Sequence, residues 1–171
     1  LDKAAGHLRI SAAAVVKEQR YRRIIFVSSA DSARGPMAAE LLRQEDLEQE
    51  YVIDSMGIVV LFPEPANQKA EAIMKSAGMT LAQHTSRQFN DENLQDDVLI
   101  LAINEAAKSK LLAEYQNAVN VYTINEFAED ETEIPDPYGK PLTAYGECYE
   151  VLKVLVGKVA EKLNAFAKGE K

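Results

Sequence analysis

The chain has 171 residues, 47% of them hydrophobic and 27% charged, which is enough to bury one substantial core and fits one domain better than two. A formal net charge of -8 argues against a general nucleic-acid surface, which needs Lys and Arg to neutralise phosphates, but leaves room for a local positive pocket. No run stays apolar for the ~20 residues a membrane span requires, and the single cysteine, Cys148, permits neither an internal disulfide nor a thiolate metal cluster.

Residues 1–21 precede the first clear strand. They are expected to form an N-terminal extension or the tail of an upstream segment, with residues 22–171 as the folded domain. His7 has no partner in sequence and is expected at the surface. Residues 23–28 (RIIFVS) form a short branched apolar run that predicts a buried strand. Gly35-Pro36 opens a helix to about residue 44, with proline suited to a first turn because its missing N–H has no intrahelical task there. Residues 51–55 predict a second strand. Residues 65–76 predict a helix with Ala66, Ala70, Ile73 and Met74 as its apolar stripe and Gly78 as its stop. Residues 98–103 (VLILAI) predict a central strand, 105–114 a helix and 119–123 a fourth strand. Residues 126–133 (EFAEDETE) read as a solvated acidic loop. The last helix, 143–166, carries Tyr145, Tyr149, Leu152, Val156, Val159, Leu163 and Phe166 at helical spacing, a face expected to cover the sheet. Strands separated by helices predict an α/β fold: a four-stranded parallel sheet between helices on both faces, with ligands outside the carboxyl ends of the strands.

Two segments carry chemistry. Ser28, Ser29, Ala30, Asp31, Ser32, Ala33 and Arg34 leave such a strand end and lead into a helix. A loop this short can turn successive N–H groups inward, the helix adds its free amides, and Arg34 can grip two phosphate oxygens with its planar fork. Further on, Pro135 and Pro137 hold Asp136 in a turn beside Tyr138. Such an aspartate can protonate the leaving oxygen of a phosphate ester, and the tyrosine can line the substrate. An ordinary strand-to-helix turn and a loop without chemistry are the plainer readings of each segment alone.

Taken together, these motifs resemble the low-molecular-weight protein-tyrosine-phosphatase family. That family places Cys, five residues and Arg directly after its first strand, and Asp-Pro with an aromatic near the C-terminus. PMAAELL (36–42), PEPANQKAEAIMKSAGM (63–79), HTSRQF (84–89) and LILA (99–102) extend the resemblance over about residues 22–166. It implies the three-layer fold with a phosphate loop after the first strand, a hydrolase, and no cofactor or metal, while the single cysteine makes a reducing cytoplasm the simplest expected setting. It further implies Arg34 as phosphate clamp, Asp136 as general acid and base, and Ser28 at the position of the nucleophilic cysteine.

The departures cluster on the nucleophile and its supports. A hydroxyl is far less acidic than a thiol and needs a base to attack. Ala30-Asp31 stands where the family usually has Gly-Asn, Ala33 where a second Cys is frequent, and Gly35 where Ser or Thr supports the thiolate. Asp31 also brings a carboxylate toward the anion site, a repulsion of about 3 kcal/mol at ~5 Å and an effective dielectric of ~20. His84 is expected to pack or hydrogen-bond, and Cys148 to fill space on the last helix. The expected function is an inactive or severely impaired phosphatase-like domain that still binds an inorganic anion or a phosphorylated protein. It has no nucleic-acid or membrane partner, and its pocket is open unless Asp31 pairs with Arg34. An active phosphotyrosine or phosphoarginine hydrolase, native or with cysteine replaced at Ser28, and an interaction module with a closed pocket are the alternatives.

Overall fold

The structure, a computed structural model, describes residues 21–169. The N-terminal extension, with His7, lies outside the described residues except for Tyr21, which is buried against the core. Strand β1 (Arg23–Ser28) leads through the loop into helix α1 (Arg34–Arg43). Then come β2 (Val52–Gly57), α2 (Gln68–Ser76), a single 3-10 turn (Asp91–Asn93), β3 (Val98–Ala102), α3 (Glu105–Glu114), β4 (Val121–Thr123), α4 (Ile124–Ala128) and α5 (Leu142–Ala167). The strands lie in the order β2-β1-β3-β4, all parallel, with Ile24 opposite Ile53 and Leu99.

Alternation along the central strands builds two cores. Ile24, Phe26, Leu99 and Leu101 face one side and join the apolar stripes of α1, α2 and α5. Ile25, Val27, Val98 and Ile100 face the other and meet Phe89 and Leu111. Strands buried on both faces need continuous apolar runs, which is how residues 24–27 and 98–101 read. The fold is thus the expected three-layer α/β arrangement, and β1, central in its sheet, delivers Ser28 to the carboxyl edge.

Three expectations shift in detail. Helix α2 starts at Gln68 rather than residue 65, because Asn67 caps it, its side chain accepting from the amides of Lys69 and Ala70. The acidic stretch is not wholly loop. Thr123 and Glu126 form a reciprocal capping box that starts α4, and Phe127 and Ala128 are buried. Two of its carboxylates are tied down to α5 as well, Asp130 by Lys158 at 2.6 Å and Glu129 by Lys162. Finally, α5 extends one residue beyond its expected span at each end, and its buried face, Tyr145, Tyr149, Leu152, Val156, Val159 and Leu163, shares one core with Ile24, Phe26, Leu99 and Leu101 of the sheet.

Candidate active site

The loop between β1 and α1 is shaped from outside. Ser28 O accepts from Ile58 N at 2.9 Å, Ser29 O from Val59 N at 3.0 Å and Ser32 O from Asn67 N at 2.8 Å. Asp31 O is 2.7 Å from His84 Nε2. With these carbonyls held outward, the amides of Ser32, Ala33, Arg34 and Gly35 have no acceptor among the described residues. Helix α1 has no side-chain cap and no acidic residue in its first turn, so its positive end is also uncommitted. Gly57 makes the close approach possible: a β-carbon there would stand 3.0 Å from the Ala30 carbonyl carbon and 3.1 Å from Asp31 N.

Above the loop lies a cavity of about 330 Å³. Six of the seven loop residues line it, Ser28 and Arg34 among them, together with Asp136, Pro137 and Tyr138. Arg34 Nη2 is 3.8 Å from Asp136 Oδ2, so the candidate clamp and the candidate acid meet across the opening. Asp136 Oδ1 accepts from Tyr138 N at 3.1 Å, which fixes the turn, and the Tyr138 ring stands exposed at the rim. Asn67 and the buried Tyr145 also line the cavity. Sequence reasoning missed both as site residues, although Asn before QKAEAIM is a helix-start signal. A second, acidic hollow of about 830 Å³ adjoins at Arg34 and Asp136, and Glu129, Glu131 and Glu133 line it.

Asp31 is the exception among the loop residues, because its side chain does not line the cavity. Its backbone is left-handed (φ 58°), which Asp tolerates, and this turns the carboxyl behind the loop, where it is fully buried. It does not pair with Arg34. Its amide donates to Ser28 Oγ at 3.2 Å, its Oδ2 accepts from Arg87 N at 3.0 Å, and Oδ2 lies 3.6 Å from His84 Nε2. Oδ1 has no hydrogen bond of ordinary geometry, although the Ser55 hydroxyl is close enough to act on the carboxyl. Burial pushes the Asp31 carboxyl above the usual carboxylate range, and Ser55, His84 and the Arg87 amide offset part of that rise. His84 therefore has the hydrogen-bonding role expected of it.

Cys148 offers no substitute nucleophile. It is buried on α5, and burial pushes its thiol up to about 11, so it stays protonated at neutral pH.

The model of the low molecular weight phosphotyrosine protein phosphatase family matches residues 23–168. The chain belongs to this family. Within the family it is similar to a protein-arginine-phosphatase of Geobacillus stearothermophilus, 29% identical over 144 residues that cover 83% of this chain and 96% of that protein. It is also similar to the crystal structure of a low molecular weight protein tyrosine phosphatase from T. tengcongensis. That structure has a TM-score of 0.75 and 30% identity, covering 82% of this chain and 98% of the other. A second structure shares the fold, with a TM-score of 0.78 and 24% identity over 86% of this chain and 99% of its own. It is a cysteine-to-serine mutant of the arginine phosphatase YwlE, with a phosphorylated active-site serine. The present chain is a divergent family member: the loop has no cysteine, and Ser28 occupies the nucleophile position. No helix among the described residues is long and apolar enough to cross a membrane.

Proposed function

We propose that this domain holds a phosphorylated side chain or an inorganic anion between the loop amides, Arg34 and Asp136, and is severely impaired as a turnover phosphatase. One observation supports the reading: a cavity brings the loop, Arg34 and Asp136 together, but a serine stands at the position of the attacking thiolate. Arg34 would hold two phosphoryl oxygens, and the uncommitted amides of Ser32 to Gly35 would take the rest. Asp136 sits on the leaving-group side and Tyr138 beside the incoming side chain. The relatives point to two guests, phosphotyrosine and phosphoarginine. The closed-pocket alternative needs Arg34 engaged with Asp31, whereas Arg34 reaches Asp136 instead. The sole, buried cysteine fits a cytoplasmic setting.

A second reading, a slow hydrolase working through Ser28, draws support from the YwlE mutant, in which an active-site serine carries a phosphoryl group.

Calorimetry with inorganic phosphate and 4-nitrophenyl phosphate separates these, run beside release of nitrophenol. The wild-type chain should bind both anions without sustained nitrophenol release. Arg34→Ala should weaken binding by about 1.5–3 kcal/mol, the contribution of hydrogen bonds to a charged group. Absence of binding to the wild type would overturn the cradle, and sustained turnover would establish the hydrolase.

A further inference from the structure

A serine that attacks phosphorus must lose its proton, and the site contains an unassigned acceptor. His84 is committed to the Asp31 carbonyl at 2.7 Å. Of the Asp31 carboxyl, Oδ2 accepts from the Arg87 amide, while Oδ1 is buried without a hydrogen bond of ordinary geometry, the only such side-chain atom among the described residues, although the Ser55 hydroxyl is close enough to act on the carboxyl. A β-carbon on Gly35 would stand 3.1 Å from Ser28 Oγ, 3.6 Å from Ser55 Cβ and 3.7 Å from Asp31 Oδ1. The two oxygens therefore face one notch, kept free of a side chain because residue 35 is glycine. The Asp31 amide donates to Ser28 Oγ at 3.2 Å, which leaves the hydroxyl's own proton to be given elsewhere.

We infer that Asp31 is the general base for Ser28: the two groups are not hydrogen-bonded in this structure, and Oδ1 takes the hydroxyl proton across the notch once the Ser28 hydroxyl turns toward it, as Oγ attacks the phosphorus of a phosphomonoester, leaving Ser28 phosphorylated. The inference rests on the cradle holding such an ester, as proposed above. The Oγ–P bond forms while the ester P–O bond breaks. The departing nitrophenolate oxygen of 4-nitrophenyl phosphate keeps that electron pair without needing a proton, a less acidic phenol would take one from the Asp136 carboxyl, and the Ser28 proton passes to the Asp31 carboxylate. Burial, which holds the Asp31 carboxyl above its ordinary range, suits a proton acceptor. The groups facing it are His84, Arg87 and the hydroxyls of Ser28 and Ser55. An asparagine here, as the family resemblance leads one to expect, braces the loop but takes no proton. The departures at 28, 31 and 35 then form one set: a nucleophile that needs a base, the base, and the gap between them. Serine oxygen leaves phosphorus far less readily than thiolate, so the product persists and the domain acts as a single-turnover phosphoryl acceptor.

The test incubates the whole chain with 4-nitrophenyl phosphate and follows Ser28 phosphorylation by intact and tandem mass spectrometry. Wild type, Asp31→Asn and Ser28→Ala are compared from mildly acidic to neutral pH, and calorimetry measures inorganic phosphate binding to each. Wild type should gain one phosphoryl group, on Ser28, at a rate that rises as Asp31 ionises, and Ser28→Ala should gain none. Asp31→Asn keeps the left-handed turn, since Asn also tolerates it, and should still bind phosphate. Its phosphorylation should be slower by roughly 10²-fold or more, without the pH-dependent rise. A wild-type rate or a persisting rise in Asp31→Asn would overturn the inference. So would a wild type that binds phosphate but never becomes phosphorylated. A wild type that binds no phosphate would remove the cradle reading, and the inference with it.

Discussion

Replacing Gly35 by serine should stabilise the domain and close the notch behind Ser28. Gly35 is the second residue of α1 and its φ is not positive, so a side chain brings no backbone strain. Alanine at such a helical position gains up to ~1 kcal/mol over glycine and serine about half of that. Against this stands the 3.1 Å approach of the new β-carbon to Ser28 Oγ, which obliges that hydroxyl to give by a few tenths of an ångström. Serine adds what alanine lacks, a donor within reach of Asp31 Oδ1, 3.7 Å from the β-carbon and otherwise without a hydrogen bond. Leaving a buried acceptor unsatisfied costs about 1–3 kcal/mol, so Gly35→Ser should gain roughly 1–2 kcal/mol over Gly35→Ala. For a domain of this size that raises Tm by about 2–8 °C, at some 2–4 °C per kcal/mol. Thermal unfolding of both variants, alone and with Asp31→Ala, isolates the hydroxyl–carboxyl bond as a double-mutant coupling. Equal Tm values for Gly35→Ser and Gly35→Ala would show that Oδ1 lacks nothing and refute the reasoning.

Three further outcomes follow from the same geometry. The Asp31 carboxyl is raised on folding, so between its unfolded and folded pKa values the native state holds a proton that the unfolded chain has released. Stability should therefore fall as pH rises through that window. Asp31→Asn should be the more stable protein at neutral pH and lose this advantage in acid, as read from urea midpoints; a pH-independent gap would contradict it. Ser28→Cys alone should recover only part of an aryl phosphatase activity, because the buried Asp31 carboxylate opposes a thiolate, by ~3 kcal/mol for a separation on the order of 5 Å at an effective dielectric of ~20. Ser28→Cys with Asp31→Asn and Gly35→Ser should be roughly 10²-fold faster in nitrophenol release, and parity between the two would rule out the carboxylate as the obstacle. Native protein should resist iodoacetamide at Cys148, buried and held protonated, until urea exposes it; rapid native labelling would show that α5 opens there.

The sequence disclosed the frame wherever one residue's environment depends on its neighbours in the chain. Residues 24–27 and 98–101 announce central strands because both faces are buried, and α3 matches its expected span from Glu105 to Glu114. The seven-residue loop and the Asp136 turn were legible as motifs, and the structure brings Arg34 and Asp136 together. What escaped depends on chain segments far apart. That Asp31 faces backward follows from Arg87 and His84, more than fifty residues on, which no local pattern encodes. The service of Gly57 to the loop needed the β1–β2 register, although a glycine ending a strand was a visible sign. Asn67 and Tyr145 reach the cavity only once α2 and α5 are packed.

The loop's carbonyls are tethered to Ile58, Val59, Asn67 and His84, so the receptacle is set before any guest arrives. Preorganised dipoles of this kind need no rearrangement on capture. Sulfate, vanadate and phosphate esters would thus meet the same fixed array, and choice among bulkier guests falls to the rim, where the Tyr138 ring stands 82% exposed.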